Sequence, residues 1–238
     1  MLLTPKPQSP HALPIYVQIA ELITRNIVAG RLIDGQRLPP EREMASDLGV
    51  SVGTLRKSLQ ALAEKGLLER IHGSGNYVRA GGDTGSVYAM FRLELLDGGG
   101  LPSADVLNTV FMMKPADLPA FGTSEAATRF RRIRYLNDVV IAAEEIWLDG
   151  NAGKIDETAI SESLYVTYRE QLGLLISRAQ DRVGIASVPS WVPEVFSLPP
   201  GATSGYIERL TWSEAEAPIE FSRTWFDADR AVYVQRMR

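Results

Sequence analysis

Cysteine is absent from the 238 residues, and histidine occurs only as His11 and His72. The first absence excludes disulfides, thiolate metal sites and cysteine nucleophiles, and it fits a reducing compartment. The second leaves the long stretch after His72 without an imidazole, so a Ser-His-Asp triad or a nitrogen/sulfur metal site cannot be built within it. No cofactor-binding motif is read. No apolar run approaches the ~20 residues needed to cross a bilayer, and the opening "MLLTPKPQSPHALP" has neither a basic n-region nor an apolar core. The expectation is a cytoplasmic protein with no membrane partner. Its 45% hydrophobic and 23% charged content is that of a soluble globular chain of one or two domains.

The net charge of −4 is unevenly spread. Residues 1–82 carry ten Lys/Arg against seven Asp/Glu, a net +3, leaving −7 for the remainder. Such asymmetry suggests that one part meets a polyanion while the other does something else. Residues 1–12 read as a flexible Pro/Ser/Gln-rich arm. From Pro14 to Ala29, Ile15, Ile19, Leu22, Ile23 and Ile27 recur at helical spacing, and Gly30 follows as a stop. A short helix over Glu41–Leu48 ends at Gly49. The next begins at Ser51, whose hydroxyl is placed to cap the N–H of Gly53 or Thr54, and buries Leu55, Leu59 and Leu62. "LLERI" and "GNYVR" then read as two strands around "HGSG". "AGGDTGS", residues 80–86, reads as a linker. Beyond it, strand-like runs ("VYAMFRLELL", "ATRFRRIRYL", "VVIAAEEIWL", "SGYIERLTW", "PIEFSRTWF", "RAVYVQRM") outnumber helices, of which "SLYVTYREQLG" is clearest. Residues 87–238 are thus expected to form an α+β domain on an antiparallel sheet.

Helix, glycine-containing turn and second helix is the arrangement that sends a recognition helix into the DNA major groove. The outward face of that second helix carries Gly53, which permits close backbone approach, Thr54, which can hydrogen-bond phosphate or base, and Arg56 and Lys57, which can neutralise phosphate. Taken singly, these are also what any solvated helix face presents. The hairpin tip of His72, Gly73, Ser74 and Gly75 is small enough to enter a minor groove, or is a plain tight turn. Together the two elements make residues 13–79 a winged helix-turn-helix whose expected partner is double-stranded operator DNA.

In order and spacing, "LPPERE", "LGVS", "TLRKSLQALAEKGLLER" and "GSGNYV" resemble the N-terminal domain of GntR-family bacterial transcription regulators. The resemblance implies DNA contacts from Arg42, Thr54 and Arg56, beside the capping Ser51, and a wing reaching the minor groove through Gly73–Gly75. Val52 and Gly53 stand where members of that family frequently carry Arg followed by a polar residue, which leaves the operator sequence open.

"RFRRIRYLNDVVIAAEE", "SLYVTYREQLG" and "APIEFSRTWFDADR" resemble the UTRA effector domain of the HutC subfamily, whose fold is similar to chorismate lyase. By that resemblance Arg132, Arg134, Glu144, Ser163, Tyr165 and Glu220 line an effector site, and Phe226 falls where some relatives place a tyrosine. The residues allow either reading. Arg132 and Arg134 share a strand face and suit an anion clamp or a charged surface. Ser163 is an anion ligand or a helix cap, Tyr165 a ligand contact or packing, and Glu144 and Glu220 hydrogen-bond acceptors or solvated carboxylates. "SVPSWVPEVFSLPPG" lines or covers the pocket, or only links elements. The expected whole is a homodimeric repressor released from its operator by a small anionic metabolite such as a sugar phosphate or carboxylate. The rival readings are a lyase-like enzyme tethered to a DNA-binding module, and an effector-blind DNA-binding protein.

Overall fold

In a computed structural model the described residues are 12–79 and 90–236, so nearly all of the expected arm and the whole of the expected linker lie outside them. The chain divides into two compact units, Met1–Phe91 with Asp97–Leu101, and Arg92–Leu96 with Pro102–Arg238.

The first unit contains α1 (Ile15–Val28), α2 (Glu41–Asp47) and α3 (Val52–Glu64), then the antiparallel hairpin β1 (Leu68–Ile71) and β2 (Gly75–Val78). Arg37 adds a bridge to Tyr77 on the hairpin's other edge. The helical periodicity of the sequence becomes a single apolar core in which Ile19, Ile23 and Ile27 of α1 meet Leu55, Leu59 and Leu62 of α3, closed by Leu67, Leu68 and Val78. Ser51 caps α3 by accepting the Thr54 N–H at 3.1 Å, an interaction of about 1 kcal/mol.

The second unit is a six-stranded antiparallel sheet in the order β4 (Pro102–Met113), β5 (Ala126–Leu136), β6 (Val139–Asp149), β9 (Glu220–Phe226), β8 (Thr203–Trp212), β7 (Arg178–Ser187). A separate pair joins β3 (Leu93–Leu95) to β10 (Ala231–Tyr233). The four inner strands match the strand-like runs of the sequence. The two edge strands, β4 and β7, do not appear among those runs, and among the described residues the runs near each end contribute the three-residue β3 and β10. One sheet face is covered by α4 (Leu164–Leu172), whose Leu164 and Tyr168 pack on Phe130, Ile146 and Leu148. The loop containing Val188, Val192 and Phe196 packs on Ile133 and Ala143. Strand alternation puts these two on the face opposite Arg132 and Arg134, so of the two readings of "SVPSWVPEVFSLPPG" the packing agrees with a loop between elements.

Candidate nucleic-acid interface and effector pocket

On the first unit, Ser51, Gly53, Arg56, Lys57, Arg42, His72 and Gly73 are exposed, and Thr54, Ser74 and Gly75 are partly so. The start of α3, the start of α2 and the hairpin tip together bound a cleft of about 650 Å³, lined by Glu41, Arg56, Arg70 and residues 71–76. The hairpin tip needs its glycines: Gly73 and Gly75 have φ of +73° and +131°, values a side chain rarely adopts. Gly53 is different. A Cβ there would meet only the Ser51 Oγ, at 3.7 Å, so neither packing nor conformation within the unit requires glycine.

Two expected contacts take an unforeseen form. Lys57 Nζ lies over the Tyr16 ring, 3.8 Å from its centroid, on the α1 side of α3. Arg56 Nε donates to Glu41 Oε2 at 2.6 Å, and Arg70 Nη2 donates to Glu41 Oε1 at 3.2 Å. The hydrogen bond from Arg56 and the nearby positive charge of both arginines hold the Glu41 carboxyl below the usual glutamate range. Neither Glu41 nor Arg70 is singled out by the sequence, because the pairings span 15 and 29 residues and leave no local pattern.

On the second unit, register explains the site. Arg132 pairs with Glu144, which pairs with Thr224, and Arg134 pairs with Ala142, which pairs with Phe226. These side chains share the face that carries α4. Arg132 donates to Glu144 Oε2 at 2.7 Å and to the Glu162 carbonyl at 3.1 Å, and Arg134 reaches the same carbonyl at 3.4 Å. Arg132, Arg134 and Glu144 are 5%, 3% and 8% exposed, so this is an interior charge cluster and neither a charged surface nor a solvated carboxylate. Burial pushes the Glu144 carboxyl up, and the Arg132 and Arg134 guanidiniums outweigh it, leaving it below the usual range.

Glu220 is also buried and accepts hydrogen bonds from Tyr168 at 2.6 Å, Thr211 at 3.1 Å and Tyr165 at 3.4 Å. Here burial wins and pushes the carboxyl above the usual range, which favours the neutral acid. Tyr165 therefore both packs against Tyr168 and bonds to Glu220. Ser163 occupies the N-cap position of α4, but its side chain makes no capping hydrogen bond, so the cap reading of that hydroxyl is set aside. Phe226 lies over its cross-strand partner Gly205, where a Cβ would run into the ring.

Sequence reading missed Arg209, Asp181 and Tyr233. Arg209 binds Asp181 through Nε at 2.6 Å and Nη2 at 2.7 Å, and Tyr233 donates to the same carboxylate at 2.7 Å. A signal for Arg209 existed: it interrupts the inward series Ile207, Arg209, Thr211 of β8, where an arginine is unexpected unless it serves a buried anion. Among the described residues no group of three or more His, Cys, Asp or Glu could hold a metal ion, and no helix is long and apolar enough to cross a membrane.

Residues 15–78 match the family described as bacterial regulatory proteins, gntR family, and residues 102–231 match the UTRA domain. The HTH-type transcriptional regulator SmoD of Agrobacterium fabrum is 54% identical over 228 residues, 95% of this chain and 97% of SmoD. The mannosyl-D-glycerate transport/metabolism system repressor MngR of Escherichia coli is 32% identical over 151 residues, 57% of this chain and 58% of MngR. The crystal structure of the possible transcriptional regulator YydK from Bacillus subtilis covers 95% of this chain and all of that one, with a TM-score of 0.52 at 22% identity, a likeness of fold. The relatives are named as transcription regulators. The chain belongs to the GntR family, in its HutC-like branch, as a DNA-binding regulator with a winged helix-turn-helix and a UTRA domain.

Proposed function

We propose that this regulator is a homodimeric repressor that leaves its operator when a small anionic metabolite enters the UTRA domain. The observation that carries the effector reading is the buried Arg132, Arg134 and Glu144 cluster with Arg209 on the same sheet face. Arg132 and Arg134 share the Glu144 carboxylate and Arg209 pairs with Asp181, so three guanidiniums are gathered in a low-dielectric interior. Arg132 Nε is buried and lacks a hydrogen-bond partner among the described residues, a donor that a ligand oxygen would satisfy. Around it Ala142, Ser222 and Thr224 are small, and Ser222, Thr224, Tyr165 and Glu220 offer hydroxyl and carboxyl partners. A sugar phosphate or sugar carboxylate fits this chemistry. MngR, a repressor by name, is named for mannosyl-D-glycerate, a glycoside bearing a carboxylate, which supports the same class.

On the DNA side, Arg42, Thr54, Arg56 and the wing tip His72–Gly75 are the proposed contacts, with Lys57 at the flank. Gly53 supports that face, since the unit itself gives no reason for glycine there and an approaching DNA backbone does. A two-fold dimer would read two half-sites ~34 Å apart, and effector binding would favour a spacing that does not fit successive major grooves. The test is a thermal-shift screen of the full chain against sugar phosphates and sugar acids, each hit retested for release of a duplex selected from a random pool. A ligand that stabilises the protein and releases the duplex supports the reading. A stabilising ligand that leaves the duplex bound overturns it.

A further inference from the structure

We propose that Glu41 is a specificity-determining residue of the DNA interface: its carboxylate positions Arg56 and Arg70 and withholds them from indiscriminate phosphate capture. The inference rests on the reading that Arg56 contacts DNA, and extends it to a residue that carries the wrong charge for DNA. Arg56 has a long, flexible side chain that is 64% exposed, so nothing in the packing fixes its direction. Glu41 fixes it. With Nε held at 2.6 Å, the two Nη groups, which have no hydrogen-bond partner among the described residues, form the free end of the fork. Two parallel donors at a fixed direction are what bidentate reading of guanine O6 and N7 requires.

The same carboxylate holds Arg70, which lies in β1 two residues before His72 and the wing turn. One acidic group therefore links α3 to the base of the wing, across the cleft that both elements bound. Its position at the first residue of α2 suits it, because a helix N-terminus favours negative charge. Near a polyanion, however, a carboxylate lowers affinity for every sequence and engages two cations that would otherwise neutralise phosphates. A residue of that kind raises selectivity by weakening non-specific binding more than specific binding.

The test uses the full chain and two duplexes of equal length, one selected by the wild type from a random pool and one scrambled, titrated at several salt concentrations. Glu41→Ala should bind the scrambled duplex several-fold more tightly, with a salt slope steeper by about one to two phosphate contacts. The selected duplex should gain nothing or lose affinity, so the specificity ratio falls at least about tenfold, the range set by one bidentate arginine contact. Glu41→Gln, which keeps an acceptor oxygen for Arg56 without the charge, should fall between the two and also shows the effect should the alanine variant fold poorly. An unchanged ratio in both variants overturns the proposal, because a plain surface charge would shift both duplexes in parallel. Arg56→Ala separates the two layers: if it leaves selected-duplex affinity intact, the DNA-face reading fails, and if it lowers that affinity while Glu41→Ala keeps the ratio, only the role of Glu41 fails.

Discussion

Two arginine–glutamate clusters, built from the same side chains, sit in opposite dielectric settings. In the DNA-binding unit, Glu41 holds Arg56 and Arg70 with side-chain exposures of 21%, 64% and 43%. In the UTRA domain, Glu144 holds Arg132 at 2.7 Å with exposures of 11% and 6%. The exposed cluster costs little to form or break, and on the proposed reading it meets a large, repeating polyanion whose own counterions are released on contact. The buried cluster has already lost its water, so each charge must be matched, and on the proposed reading a small ligand that supplies one more acceptor is bound strongly. The contrast implies that charge changes near DNA alter binding and its salt dependence with little effect on stability, whereas charge changes in the pocket alter stability first.

The sharpest way to break that comparison is Glu144→Ala against Glu41→Ala. Removing Glu144 takes the shared carboxylate away from two buried guanidiniums and should lower unfolding free energy by on the order of 3–5 kcal/mol. Removing Glu41 should change it by about 1 kcal/mol or less. Chemical denaturation of both variants measures this, and equal losses would erase the distinction. Next in size, Arg56→Ala should lower affinity for selected DNA at least about tenfold at fixed salt, with the melting temperature unchanged, as gel-shift midpoints and thermal melts would show.

A pH series sharpens the buried side. Glu220 has a folded pKa raised above its unfolded value, so its contribution to stability is fully present below the ordinary glutamate pKa of ~4.3 and is lost as pH rises through the higher folded value. Glu220→Gln should flatten that part of the stability curve, whereas Glu41→Gln, whose carboxyl is shifted the other way, should not. The smallest effect is expected at Gly53. Gly53→Ala should stabilise the DNA-binding unit by roughly 0.5–1 kcal/mol, since its Cβ meets no obstacle, while weakening DNA binding. A gain in stability with undiminished affinity would show that nothing approaches that face closely.

The inner strands and all four helices were legible because burial wrote itself into composition. β6, buried along most of its length, reads as "VVIAAEEIWL", and Leu55, Leu59 and Leu62 mark α3 at helical spacing. The edge strands were not. β7 is mostly exposed along "RAQDRVGIAS" and needs no apolar alternation, and β4 begins at Pro102 and shifts register between Val106 and Asn108, which breaks whatever alternation it has. The proposed site residues divide in the same way. Arg132 and Arg134 are neighbours on one strand, and their pairing with Glu144 follows once β5 and β6 are read as a hairpin. Glu41 with Arg70, and Asp181 with Tyr233, meet only through the fold, across 29 and 52 residues, so neither partner of either pair stood out in the sequence.

The central claim, that a buried anion site and an exposed DNA face are coupled in one regulator, is tested most directly by reciprocity. With the selected duplex and an anionic sugar found by screening, duplex affinity is measured with and without the sugar, and sugar affinity with and without the duplex, in the wild type and in Arg134→Ala. The account expects each ligand to weaken the other by the same factor in the wild type, and the sugar to lose its affinity in Arg134→Ala while the duplex still binds. A sugar that binds Arg134→Ala as tightly as the wild type, or that leaves duplex affinity unchanged, would contradict it.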